Sequence, residues 1–223
     1  MNIPVNDKKL LEKAFTHRSF LNESGNEYNE SNERLEYLGD AVLELAVSEF
    51  LYEKFPDKPE GELTSLRAAL VKTTTLASVA RKLDLGSNLL MSKGEEQTGG
   101  RENQGLLANT FEAVIGAIYL DSGFKTVVTF LEKQLFVLVD EIIANDLHKD
   151  FKSTFQEIVQ ADGHPTPTYK VIADEGPDHD KTFTVSLMVG KVEISQGSGK
   201  SKQLAQQAAA QAGLEKLDAG LNL

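Results

Sequence analysis

Four acidic residues, Glu33, Glu36, Asp40 and Glu44, recur at intervals of three and four along one stretch of the 223-residue sequence. A helix turns about 100° per residue, so the four fall within an arc of roughly 80°, one narrow stripe. The rest of the stretch is apolar nearly all round, through Leu35, Leu38, Val42, Leu43, Leu45, Val47, Phe50 and Leu51, which is the pattern of a buried helix. Carboxylates carried into an interior are costly unless they pair or hold a cation. Gly39, a poor helix former set in the middle of the stripe, implies that something approaches the backbone closely there.

A second apolar stretch repeats the anomaly. Leu106, Leu107, Phe111, Val114, Ile115, Ile118 and Leu120 surround Asn109, Thr110 and Glu112, and Asn109 and Glu112, three apart, share a helix face. Two such helices facing each other with oxygen side chains would cage a hard divalent cation. The plainer reading makes these acids solvated faces or partners of Arg34, Arg67 and Arg101. Periodicity alone names neither a metal nor a substrate.

The elements that must position these residues are legible as periods. Apolar spacing predicts a short segment at 10–15, a long helix at about 33–55 stopped by Pro56 and Pro59, and one helix over 62–83. A Gly-rich polar loop at 92–104 leads into a helix at about 105–120, followed by a last helix over 124–143. After a polar linker near 145–150 the pattern changes. A helix at 153–161 precedes three strand-like runs at 168–173, 182–189 and 191–196, and an Ala-rich helix over 201–217 closes the chain. In the second run Phe183, Val185 and Leu187 alternate with Thr182, Thr184 and Ser186, the period of a half-buried strand, and Val189-Gly190-Lys191 reads as a hairpin turn. The expectation is an all-α unit at 1–146 followed by an α-β-β-β-α module at 151–219.

Composition narrows the function classes. The chain has no cysteine, which removes disulfides, thiolate catalysis and Cys-based zinc sites, and fits a cytoplasmic setting. Nothing resembles a signal peptide, and no stretch approaches the roughly 20 apolar residues that span a bilayer, so no membrane partner is expected. The net charge of −11 argues against a polyanion partner unless a few basic groups are well placed or carboxylates hold cations.

Asn32-Glu33-Arg34-Leu35-Glu36-Tyr37-Leu38-Gly39-Asp40-Ala41-Val42-Leu43 closely resembles the signature of ribonuclease III. The likeness continues, in chain order, through Thr16-His17-Arg18-Ser19-Phe20, Pro59-Glu60-Gly61-Glu62-Leu63-Thr64, Ser92-Lys93-Gly94-Glu95-Glu96 and Ala108-Asn109-Thr110-Phe111-Glu112-Ala113-Val114-Ile115-Gly116-Ala117. The resemblance implies a double-strand-specific endoribonuclease of the bacterial type, which hydrolyses phosphodiesters to 5′-phosphate and 3′-hydroxyl ends in rRNA and mRNA processing. It implies Mg²⁺, with Mn²⁺ as a substitute and no organic cofactor, held by Glu36, Asp40, Asn109 and Glu112, with Asp40 and Glu112 catalytic. Glu33 and Glu60 match outer acidic positions, and the family acts as a homodimer that cuts one strand per subunit. Asn109 departs from the usual Asp: its carbonyl still coordinates Mg²⁺ but brings no charge, so weaker metal affinity is expected. His17, between Phe15 and Phe20, reads as a hydrogen-bonded core residue.

Residues 151–218 resemble the double-stranded RNA-binding domain, through Lys152-Ser153-Thr154-Phe155-Gln156-Glu157, Gly176-Pro177-Asp178-His179 and Gly197-Ser198-Gly199-Lys200-Ser201-Lys202-Gln203-Leu204-Ala205. That resemblance puts Gln156, Glu157 and His179 at 2′-hydroxyls and Lys200 and Lys202 at phosphates. Gly197-Ser198-Gly199 reads as a lead into a phosphate-favouring helix N-terminus. Gln203 stands where a third basic residue is common, and residues 150–223 hold seven Lys against ten Asp and Glu, so weak binding with a shallow salt slope is expected. A catalytically weak or inactive RNA-binding relative is one alternative. A hydrolase of small phosphate esters is another, and it leaves the 151–218 module unexplained.

Overall fold

The computed structural model describes residues 3–23, 30–177 and 181–220, and the chain divides into two units, 1–148 and 149–223. The first unit is helical: α1 (Lys8–Ala14), α2 (Arg18–Leu21), α3 (Glu33–Lys54), α4 (Glu60–Val71), α5 (Thr73–Lys82), α6 (Lys93–Gln97), α7 (Gln104–Ser122), α8 (Phe124–Gln134) and α9 (Val139–Ala144). Helix α7 is the hub, with Leu107, Ala108, Thr110, Phe111 and the run 113–118 buried on every side. Helix α3 lies against it through Leu35, Gly39, Val42, Leu43, Ala46 and Val47.

What sets the spacing of these two helices is the absence of two side chains. A Cβ on Gly39 would fall 1.8 Å from the Glu112 carbonyl oxygen, and one on Gly116 would fall 2.3 Å from that of Leu35. The backbones are therefore in direct contact, with no side chain between them at the crossing. The close approach read from Gly39 is the α7 backbone.

Three expected elements differ from those observed. The stretch 62–83 is two helices, because Lys72 is extended (ψ 145°) and separates α4 from α5. Three successive threonines follow it, β-branched residues with reduced helix propensity, and the Thr75 hydroxyl donates across the break to the Ala69 carbonyl. Residues 124–143 also break: a 3₁₀ turn at Phe136–Leu138 seats Phe136 on Phe50, the rings stacked 4.0 Å apart. The 92–104 segment is structured rather than a loose loop. Arg101 donates to the carbonyls of Gly86, Ser87 and Leu89 and pairs with Glu96 at 2.7 Å, holding α6 and the following 3₁₀ turn Gly100–Glu102 in place.

The second unit has the expected order α10 (Phe151–Ala161), β1 (Thr168–Glu175), β2 (Thr182–Val189), β3 (Val192–Gly199) and α11 (Lys202–Asp218). The strands form one antiparallel sheet in sequence order, and β2 turns into β3 through Gly190 (φ 60°) and Lys191, as two-residue hairpins require. Phe155, Val159, Val185, Leu187, Ile194, Ala205, Ala209 and Ala210 are its core. Gly197 and Gly199 belong to β3, not to a turn before the helix. A Cβ on Gly197 would meet the Ala209 backbone nitrogen at 2.1 Å, so these glycines admit α11 against the sheet. Among the described residues no helix is long and apolar enough to cross a membrane.

The contact at Gly39 predicts a large effect from one methyl group. Gly39→Ala should cost about 3 kcal/mol or more of folding stability, because backbone cannot retreat as a side chain can. Gly61→Ala, in α4 with nothing within 4 Å, should stabilise by roughly 0.5–1 kcal/mol. Denaturant melts of both variants check this, and equal effects would show that the α3–α7 contact is not limiting.

Candidate active site

Helix α3 brings Glu36 and Asp40, one turn apart, beside the Gly39 contact, while α7 brings Asn109 and Glu112 to the other side of the same contact. The four side chains sense one another. Glu36 is half-buried, and burial first, then the charges of Glu33 and Asp40, raise its pKa, while a hydrogen bond from Asn109 lowers it. Glu112 is raised further, to about 7, by burial and then by the charges of Asp40 and Glu36. Asp40 itself is exposed and Asn109 half-buried. Among the described residues no three His, Asp or Glu groups stand ready in metal-ligating geometry, so the donors share a neighbourhood without closing into a cage.

That set suits a hard divalent cation on chemical grounds. Its atoms are all oxygen donors, three carboxylates and an amide carbonyl. Burial first, and like charge after it, raise Glu36 and Glu112, and bound positive charge would offset both.

Other acids are placed differently. Glu44 pairs with Arg67 at 3.0 Å, so for this residue the plain ion-pair reading holds. Arg101 is committed to Glu96 rather than to the acidic stripe of α3. Glu33 stands exposed at the start of α3, 3.6 Å from Arg18, and accepts from Ser31. Glu60 is exposed in the first turn of α4 and lines a separate groove with Leu45, Tyr52, Leu63 and Arg67.

Two residues carry more structure than their sequence positions suggested. Asn32 is buried, yet its side chain does not cap α3. Its amide instead donates to the Ala14 carbonyl, and its backbone N–H donates to Thr16. On the other side Leu90 brackets the same segment, donating to the Phe15 carbonyl and accepting from the His17 N–H. His17 is thus not a core residue. It is half-exposed and caps α2, its ring nitrogen Nδ1 lying 2.8 Å from the Ser19 hydroxyl, and burial is the main cause of its lowered pKa. The clasped segment ends at a pocket of about 360 Å³ whose wall includes His17, Arg18, Asn32, Glu33, Glu36 and Asn109.

In the second unit Gln156 and Glu157 are exposed on α10, opposite buried Phe155 and Val159. Lys200 and Lys202 are exposed at the start of α11, where Ser201 supplies the N-cap and Lys202 stands 5.9 Å over the Phe183 ring. His179 lies outside the described residues.

Comparison with known proteins gives the same two-part division. Residues 7–138 match the family model described as Ribonuclease-III-like, and residues 151–217 match the double-stranded RNA binding motif. The chain is 48% identical over 219 residues to Ribonuclease 3 of Geobacillus kaustophilus, covering 98% of this chain and 89% of that protein. It is 47% identical over 217 residues to Ribonuclease 3 of Bacillus licheniformis, covering 97% and 87%. Among solved structures, the nuclease domain of ribonuclease III from Campylobacter jejuni superposes with a TM-score of 0.53 at 46% identity, covering 58% of this chain and 86% of that domain.

The raised pKa of Glu112 makes stability pH-dependent with a definite sign. The folded state holds this proton up to about pH 7, whereas the unfolded chain releases it near 4.5, so stability falls as pH rises between those values. In metal-free protein, Glu112→Gln should be about as stable as wild type at pH 5. At pH 8 it should be more stable by ~1–2 kcal/mol, less than the full linkage value because the carboxylate partly meets solvent. Thermal melts in chelator at both pH values test this, and an equal gap at the two would disprove it.

Proposed function

Because the chain belongs to the ribonuclease III family, the double-strand-directed endoribonucleases, we propose that it cuts RNA duplexes with Mg²⁺ held by Glu36, Asp40, Asn109 and Glu112. The observation that carries this reading is the shared electrostatic field of those residues across the Gly39 contact, where burial and like charge hold Glu112 at about 7. The chemistry supplied by a bound Mg²⁺ is Lewis acidity toward a water and toward the phosphate oxygens. Asp40 and Glu112 keep the negative charge that retains the cation beside the phosphate. Asn109 stands beside Glu36, where its amide lowers the carboxyl pKa. Glu33 and Glu60 serve outside this set, and the products carry 5′-phosphate and 3′-hydroxyl ends.

Duplex recognition falls to the second unit. Its exposed Gln156 and Glu157 suit 2′-hydroxyl contacts, and Lys200 and Lys202 suit phosphates. A homodimer fits an exposed apolar stripe on α3, where Tyr37 is 82% exposed, Leu45 59% and Tyr52 74%. The Campylobacter nuclease domain carries a region described as involved in dimer formation. Work in the cytoplasm on ribosomal and messenger RNA precursors completes the proposal.

Incubating a long RNA duplex with the protein and Mg²⁺ should yield staggered fragments on a gel. Glu36→Gln should bind the duplex with affinity close to wild type and leave it intact, and substantial cutting by this variant would refute the assigned ligand role.

Asn109 sets the metal requirement. Restoring a carboxylate with Asn109→Asp should lower the Mg²⁺ concentration for half-maximal cleavage by about tenfold, the order of effect of a changed metal ligand or its support. A magnesium titration of both proteins measures it, and coincident curves would sink the idea.

A further inference from the structure

The pocket beside the carboxylates asks for an occupant that the four ligands do not explain. Two of its wall residues, Glu36 and Asn109, also belong to the proposed metal set, so a group seated there abuts the reacting centre. Its volume of about 360 Å³ and its polar wall suit a piece of sugar-phosphate backbone better than a free ion. Among the described residues lining it, Arg18 is the one Lys or Arg.

Arg18 is placed to meet an anion. The Thr16-His17 backbone just before it is clamped from two sides, by Leu90 and by the Asn32 N–H. His17 caps α2 through its ring nitrogen, and the Ser19 hydroxyl on that turn accepts from the Ser92 N–H at 3.0 Å. A rigid base thus presents a side chain that is itself 72% exposed. Its partner, Glu33, is also exposed and sits 3.6 Å away, beyond good hydrogen-bond length. Such a pair is easily exchanged for a phosphate, which a guanidinium can grip with two parallel N–H donors.

A duplex approaching this site brings several phosphates, not one. The metal set answers the charge of the phosphate being cut. The neighbouring phosphate meets a wall containing Glu33 and Glu36, and it would be repelled unless a cation stood between. We propose that Arg18 is that cation: it binds the RNA phosphate adjacent to the scissile one in this pocket and so sets the register of the strand against Glu36 and Asn109. The inference rests on the duplex-cleavage reading above and adds a substrate-binding residue to it.

The test pairs a protein change with a substrate change. Short duplexes carrying one uncharged methylphosphonate linkage, moved one position at a time on either side of the cleavage site, are cut by wild type and by Arg18→Ala. One position next to the scissile bond should slow wild type by about tenfold in kcat/KM, the value of one charge-assisted contact. Arg18→Ala should lose a similar factor on the unmodified duplex, with the larger part in KM, and lose nothing more at that position. Arg18→Lys should recover part of the loss, since it restores charge without the planar fork. Independent, multiplying losses at every position would overturn the assignment, as would an Arg18→Ala variant as active as wild type. Unchanged thermal melts for Arg18→Ala would confirm that folding is not the cause. Failure of wild type to cut the unmodified duplex would instead reject the cleavage reading itself.

Discussion

The structure of the first unit depends on a contact between two backbones. With no side chain at Gly39 or Gly116, α3 and α7 meet at the carbonyls of Glu112 and Leu35. Everything on the flanks of that contact converges as a consequence. Glu36 and Asp40 lie beside Gly39 on one helix, and Asn109 and Glu112 lie beside the contact on the other. Flexible side chains at the crossing would hold the helices apart and leave four dispersed acidic or amide groups. Touching backbones bring them together, and burial of Glu112 beside the charges of Asp40 and Glu36 holds its pKa at about 7. The fold thus creates an unfavourable concentration of negative charge and holds it rigidly, which is the arrangement that favours a divalent cation over water alone.

That arrangement also resolves the charge paradox of a duplex-directed protein with a net charge of −11. Net charge describes the far field, whereas a phosphate at the site meets local groups. The carboxylates are partly concentrated where a cation would answer them, and Glu44 is tied to Arg67. In the second unit Lys200 and Lys202 stand exposed at one helix start, while Gly197 and Gly199 let that helix seat against the sheet. Both units therefore use the same device: glycine removes bulk so that a helix backbone lies directly on its neighbour, and the polar groups beside the contact gain a fixed position.

Much of this was legible in the sequence because it is periodic. The acidic stripe, the apolar faces of α3 and α7 and the alternation in β2 are one-dimensional patterns with three-dimensional consequences, and Gly39 announced a close approach without naming the partner. What periodicity could not show was interruption. The apolar rhythm runs on through Lys72 although the backbone there is extended, and it runs on past Leu135 although a 3₁₀ turn intervenes. Long-range polar wiring was equally invisible. Arg101 reads as a partner for the acidic residues, and it is instead a clamp for three loop carbonyls. Nothing in the periodicity shows that the Asn32 amide reaches the Ala14 carbonyl. His17 was placed in the core by its aromatic neighbours, but the hydrogen bond to Ser19 fixes it at a pocket edge.

Asn109 shows how one atom type reshapes such a site. A carboxylate there would add a fourth negative charge to a cluster in which burial and like charge already raise two pKa values. The amide instead hydrogen-bonds Glu36, which lowers the pKa of that residue. The same replacement removes a charge that would attract the cation. Stability of the metal-free site and affinity for the metal are therefore opposed at this position, because both follow from the single substitution of N–H for O⁻. The position is set by the α7 backbone, which α3 holds at contact distance, so neither effect can be relieved by moving the helix.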